Sequence, residues 1–153
     1  MKNRKKGFSL VELLIVLAVM AALIATITPV ALNAIKKSKA TQVAQNLKTL
    51  ASSFENGLYV DGPSFLTGLT LSKLGRDIKA EDYAIYYTGS SGAYTANIVY
   101  KGEGDIDIID DTLAEATTET FANVSTDFTA LTGTGWTNPT GNVIYYPIVF
   151  TVY

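Results

Sequence analysis

The sequence predicts an α+β chain, with one long amino-terminal helix followed by a small antiparallel sheet of about four strands. Three observations predict it. Leu13 to Ile35 is a run of 23 residues without a charge. Apolar side chains then recur at Val43, Leu47, Leu50 and Phe54, the spacing of a single helix face. From Asp82 onward the pattern changes to period two, punctuated by glycine-rich turns.

The uncharged run comes first. At about 1.5 Å per residue it spans the ~30 Å hydrocarbon layer of a bilayer. Lys2, Arg4, Lys5 and Lys6 precede it, and this dense cluster favours a cytoplasmic amino terminus. Glu12 is the one acid near its start. A carboxylate there is costly, by about 2.5–3.5 kcal/mol at mid-membrane and less toward the edge, so a chain that keeps it has a use for it. Pro29 interrupts the helical hydrogen bonding within the span, where a kink or local loosening is expected with helix on both sides. The hydroxyls of Thr26 and Thr28 lie close enough to bond freed carbonyls. A secretory signal would end in a cleavage site at small residues, for which Ala31 and Asn33-Ala34 are poor matches.

Residues 36–56 continue the helix in amphipathic form. Ala40, Ala44 and Ala51 flank the apolar stripe, while Lys36, Lys37, Lys39, Gln42, Gln45 and Lys48 fall elsewhere. Gly57 after Asn56 reads as a carboxy-terminal cap. Between Phe8 and Asn56 there is no glycine and only one proline, so a single helix of 49 residues is expected, roughly 70 Å long.

The order Lys-Lys-Gly-Phe-Ser-Leu-Val-Glu-Leu-Leu-Ile-Val, residues 5–16, resembles the leader of bacterial type IV prepilins and pseudopilins. The resemblance covers about residues 1–50. It implies that a dedicated prepilin peptidase cuts after Gly7 and methylates Phe8. Glu12 then becomes the fifth mature residue, and Pro29 falls where many relatives also carry proline. It further implies a helix laid across a small sheet, and assembly of many copies into a filament through an inner-membrane platform. The division that follows is a leader at 1–7, a transmembrane or filament-core helix at 8–35, the amphipathic half of the same helix at 36–56, and an acidic head at 57–153. In a lone subunit the Glu12 carboxylate is expected to be poorly paired, and in a stack to meet the Phe8 amine of a neighbour.

Beyond the helix, residues 57–80 read as a linker, with Leu71–Leu74 as a single helical turn. Asp82–Thr88 and Tyr94–Lys101 form a hairpin about Gly89-Ser-Ser-Gly92, and Tyr94, Ala96, Ile98 and Tyr100 share one face. Gly102-Glu-Gly104 makes another turn, and Asp105–Ile109 alternates as a third short strand. Asp111–Ala122 holds a short helix in an otherwise irregular, threonine-rich stretch. Asn142–Tyr153 is the last strand, with Pro147 pointing to an edge position.

Composition narrows the chemistry. There is no histidine and no cysteine, which removes the commonest general base and metal ligand, any disulfide, and most nucleophile–base pairs. Neither Gly102-Glu-Gly104 nor Gly133-Thr-Gly135 continues as a phosphate loop. No enzyme is expected, and no cofactor. Residues 49–153 carry thirteen acids and four bases. Asp105, Asp107, Asp110 and Asp111, beside Glu103, form an acidic cluster without EF-hand order; a solvated turn is the expected state and calcium the alternative. Asn123-Val-Ser125 matches a glycosylation sequon and little more. Four lysines beside an acidic head make nucleic acid an unexpected partner.

The function expected is that of a structural subunit: a precursor in the cytoplasmic membrane, then part of an extracellular filament. Within the same family, a pseudopilin of a type II secretion system (in a periplasmic filament) or a minor pilin is the alternative. Outside it, the alternative is a signal-anchored monomer whose acidic head captures a ligand.

Overall fold

The computed structural model describes residues 7–102 and 106–153. The basic cluster at residues 2–6, and Glu103 and Asp105, lie outside the described residues. The chain divides after Lys36 into two compact units. Helix α1 (Leu10–Asp61) is continuous through both and contains Pro29.

In the second unit the expected stripe of α1 is the buried one. Ala40, Val43, Ala44, Leu47, Leu50, Ala51 and Phe54 are buried, joined by Leu58 one turn further on. The helix does not stop at Gly57 as its sequence implied. It runs on to Asp61 and passes into a 3-10 helix, Gly62–Leu66. Gly57 serves packing instead, because a side chain there would run into the Phe65 ring. Helix α2 (Leu71–Leu74) is the expected single turn, with both leucines buried.

The sheet has five antiparallel strands rather than four. They are β1 (Tyr83–Ser90), β2 (Ala93–Tyr100), β3 (Thr117–Thr120), β4 (Thr129–Thr132) and β5 (Asn142–Thr151), in the order β3-β5-β2-β1-β4. β1 and β2 form the expected hairpin, closed by Ser91 and Gly92 at φ 52° and 86°. Positive φ at both turn residues matches the twist of the strands. Gly92 is also needed sterically, since Val152 O approaches where its Cβ would stand.

Two expectations fail in the threonine-rich region. Residues 106–109 are not a strand but the start of helix α3 (Ile106–Thr112). Their alternation imitates period two, yet the side chains that reach the core are Ile109 and Leu113, four residues apart on one helix face. The short helix expected within 111–122 is instead the end of α3, then β3, then helix α4 (Phe121–Ser125). β3 and β4 are four-residue edge strands, too short to show alternation, and their threonines suit an extended backbone.

Both sheet faces are covered. On one, Ile85, Ile98, Tyr94, Ile144 and Phe150 pack with the α1 stripe. On the other, Ala84, Tyr86, Val99 and Val143 form a smaller core with Phe121 and Val124.

Pro147 marks where one ladder ends. Val152 N–H donates to Gly92 O at 2.7 Å, so in the β2–β5 register Asn97 and Pro147 are a non-hydrogen-bonded pair. The proline nitrogen thus faces the β3 side. β3–β5 pairing ends at Thr117 and Tyr145, two residues before it. β5 is interior by strand order and an edge locally from Pro147 on, which is how it tolerates the missing donor.

Candidate functional site

The candidate site is the amino-terminal part of α1. Gly7, Phe8 and Ser9 precede the helix in non-helical conformation and are exposed, Phe8 to 90%. The helix begins at Leu10 because Ser9 and Glu12 cap it reciprocally. Val11 N–H donates to Ser9 Oγ at 3.3 Å, and Ser9 N–H donates to Glu12 Oε2 at 2.8 Å. This is a Ser-x-x-Glu capping box, which satisfies two of the helix's orphan donors. This corrects the expectation, drawn from the isolation of Glu12 in the sequence, that its carboxylate is poorly paired in the lone chain. One oxygen is engaged within its own first turn. The capping-box spacing was present in the sequence and was the signal that predicts this pairing.

From Leu10 to Ile35 every large apolar side chain is more than half exposed. The helix is long and apolar enough to cross a membrane, and none of its most apolar window is buried. A core helix of that composition would be covered by its own chain. Here its large apolar side chains stay exposed, as those of a membrane span would.

The helix is unbroken at Pro29. Proline has no N–H, so the Ala25 carbonyl loses its usual donor. The neighbouring hydroxyls do not replace it. Thr26 Oγ1 donates to Leu23 O at 2.9 Å and to Ala22 O at 3.3 Å, and Thr28 Oγ1 donates to Ile24 O at 2.7 Å.

Among the described residues the acidic candidates are not gathered into a metal site. Asp107, Asp110 and Asp111 are exposed on α3, and Asp105 lies outside the described residues. Among the described residues no group of three or more carboxylates stands where it would hold a metal ion. Nearby, Lys48 pairs with Glu115 at 3.2 Å. In the sequon, Asn123 Nδ2 donates to Glu119 Oε1 at 3.0 Å, and Ser125 Oγ donates to Phe121 O at 2.9 Å.

Sequence reasoning missed the fastening of residues 133–141. Lys101 Nζ donates to Thr137 O at 2.6 Å and Thr137 Oγ1 at 2.8 Å, and stands 4.4 Å from the centroid of the Trp136 ring. Asn138 Oδ1 accepts from Trp136 Nε1 at 3.1 Å and from Tyr86 Oη at 3.2 Å. A cysteine-free chain thus holds this loop by a cation and an amide. On the other sheet face, Asn46 Nδ2 donates to Tyr83 Oη at 3.1 Å. Burial pushes the Tyr83 phenol up to about 12.

Comparison with protein families finds one match: residues 2–28 fit the prokaryotic N-terminal methylation motif. This is the prepilin-type cleavage and methylation motif, the hallmark of type IV pilins and pseudopilins. Gly7, Phe8 and Glu12 fall within the matched stretch, and Pro29 is the residue just after it. Comparisons with curated proteins and with solved structures gave no match.

Proposed function

We propose that this chain, which carries an N-terminal methylation motif, is a pilin-like structural subunit. It enters the membrane as a precursor, is cut after Gly7, is methylated on Phe8 and assembles into a filament with copies of itself. The observation that carries this reading is the conjunction of that motif with a span whose large apolar side chains are all more than half exposed. A monomeric anchored receptor needs only lipid around such a helix. A chain processed at its start has in addition a new amine, four positive charges fewer, and a carboxylate one turn away.

The assembly step is an exchange of solvents. In the bilayer the span contacts acyl chains; in a filament it contacts other copies of itself. Lipid and leucine are equally apolar, so the gain comes from close packing and polar pairing rather than from the hydrophobic effect. Ala18, Ala21, Ala22 and Ala25 allow helices to approach closely. Glu12 retains an oxygen that Ser9 does not use, and a neighbour's Phe8 amine is the natural partner for it. The peptidase, an inner-membrane platform and the membrane itself are the partners this pathway requires.

The experiment is the mass and amino-terminal sequence of the protein recovered from its native cells. A start at methylated Phe8 is the expected result. A chain that still begins at Met1 overturns the reading in favour of an anchored monomer.

A further inference from the structure

We propose that the side-chain amide of Asn33 in one copy donates to the Ala25 carbonyl of an adjacent copy, and that this bond sets the axial stagger between helices in the assembled form. The inference rests on the filament reading above and goes beyond it by naming a contact.

Two unmatched groups lie on the same part of α1. Pro29 has no N–H to offer the Ala25 carbonyl, and the hydroxyls of Thr26 and Thr28 are spent on Ala22, Leu23 and Ile24. Eight residues along, Asn33 is exposed, and among the described residues nothing hydrogen-bonds its amide. A spare acceptor and a spare donor thus occur together in a stretch otherwise built to exclude water. Backbone and amide groups left unpaired there are strongly disfavoured, whether lipid or other helices surround them.

Geometry keeps the two apart within a chain and brings them together between chains. Ala21, Ala25, Pro29 and Asn33 are successive members of one i, i+4 ridge. Asn33 is therefore about 12 Å further along the axis than Ala25, beyond reach in its own helix. A second parallel copy displaced by that distance places its Asn33 level with the first copy's Ala25. The alanines at 21 and 25 leave the backbone open to a neighbour's side chain, as small residues do at membrane helix contacts. A single polar residue in an apolar seam is also a device that fixes register in helical assemblies.

The chain has no cysteine, so engineered thiols report without background. Cells expressing Ala25→Cys and Asn33→Cys copies together are oxidised and the filaments analysed. The expected result is a cross-linked dimer in several-fold greater yield than from Ile24→Cys with Asn33→Cys. Equal yields overturn the proposal. Separately, Asn33→Leu lowers filament yield several-fold in the native background and has no further effect in Pro29→Ala, which restores the donor to Ala25. An Asn33→Leu loss of equal size in both backgrounds overturns it too. If the unaltered chain is processed and forms no filament, the functional reading fails along with this one. If it forms filaments without the Ala25–Asn33 cross-link, only the contact fails.

Discussion

The side-chain amide of Asn97 donates to the Val124 carbonyl at 3.0 Å, and Asn97 is only 8% exposed. This bond ties the middle of β2 to helix α4 through the smaller of the two cores. Asn97→Ala leaves the Val124 carbonyl buried without that partner. The expected loss is about 1–3 kcal/mol of unfolding free energy, read by denaturant titration in detergent. An unchanged midpoint would show that the smaller core is held by its apolar contacts alone.

Tyr83 makes stability depend on alkaline pH. Its phenol is raised from the ordinary 10.0 to about 12, chiefly because burial disfavours the phenolate. Below pH 10 the tyrosine is neutral in both states. Between about 10 and 12 the unfolded chain releases the proton while the folded one keeps it, so stability falls as pH rises through that window. Tyr83→Phe should flatten that part of a stability–pH curve. A slope unaffected by the substitution refutes the assignment.

Glycine to alanine inside a helix ordinarily stabilises by roughly 0.5–1 kcal/mol. At Gly57 the sign should reverse, because the added methyl meets the Phe65 ring. Gly57→Ala is expected to lower the melting temperature in the native background and to raise it in Phe65→Ala. A stabilising Gly57→Ala in both backgrounds would show that the ring moves aside without cost.

Lys101→Met keeps the apolar stem over Trp136 and removes the charge. The cation–ring contact contributes about 0.5–2 kcal/mol, and the bonds to Thr137 are lost with it. The expected readout is faster amide hydrogen exchange in residues 136–141, with β1 and β2 unaffected. Unchanged exchange in that loop would show that the Tyr86–Asn138 bond and the Phe121 N–H bond to Gly141 O hold it without the cation.

Glu12→Val removes both the capping oxygen and the acid that a neighbour's Phe8 amine would meet. The capping bond accounts for about 1 kcal/mol at the helix start. Assembly should slow several-fold while cleavage after Gly7 continues, measured as filament yield against the fraction of processed chain. Glu12→Gln preserves an acceptor for Ser9 and not the charge. Assembly as slow as in Glu12→Val assigns the effect to charge, and recovery assigns it to the cap.

The sequence by itself determined the long helix, its uncharged span and its buried stripe, because an α-helix converts local spacing directly into a face. It likewise determined the β1–β2 hairpin, whose turn residues act at short range, and the processing motif, which lies in contiguous residues. The Ser9–Glu12 spacing was also there, three positions apart, yet the isolation of Glu12 pointed to a poorly paired carboxylate and only the structure paired it. Tertiary structure alone decided the rest. The alternation at 106–109 gave way to helix α3 because Ile109 and Leu113 had a core to reach. The threonine runs became edge strands because β1 and β5 offered partners far away in the chain. Gly57 stayed within α1 because Phe65 packs on it, and Lys101 found Trp136 some 35 positions on. Contacts of that kind follow from where the backbone returns to itself, and no local pattern of residues encodes that return.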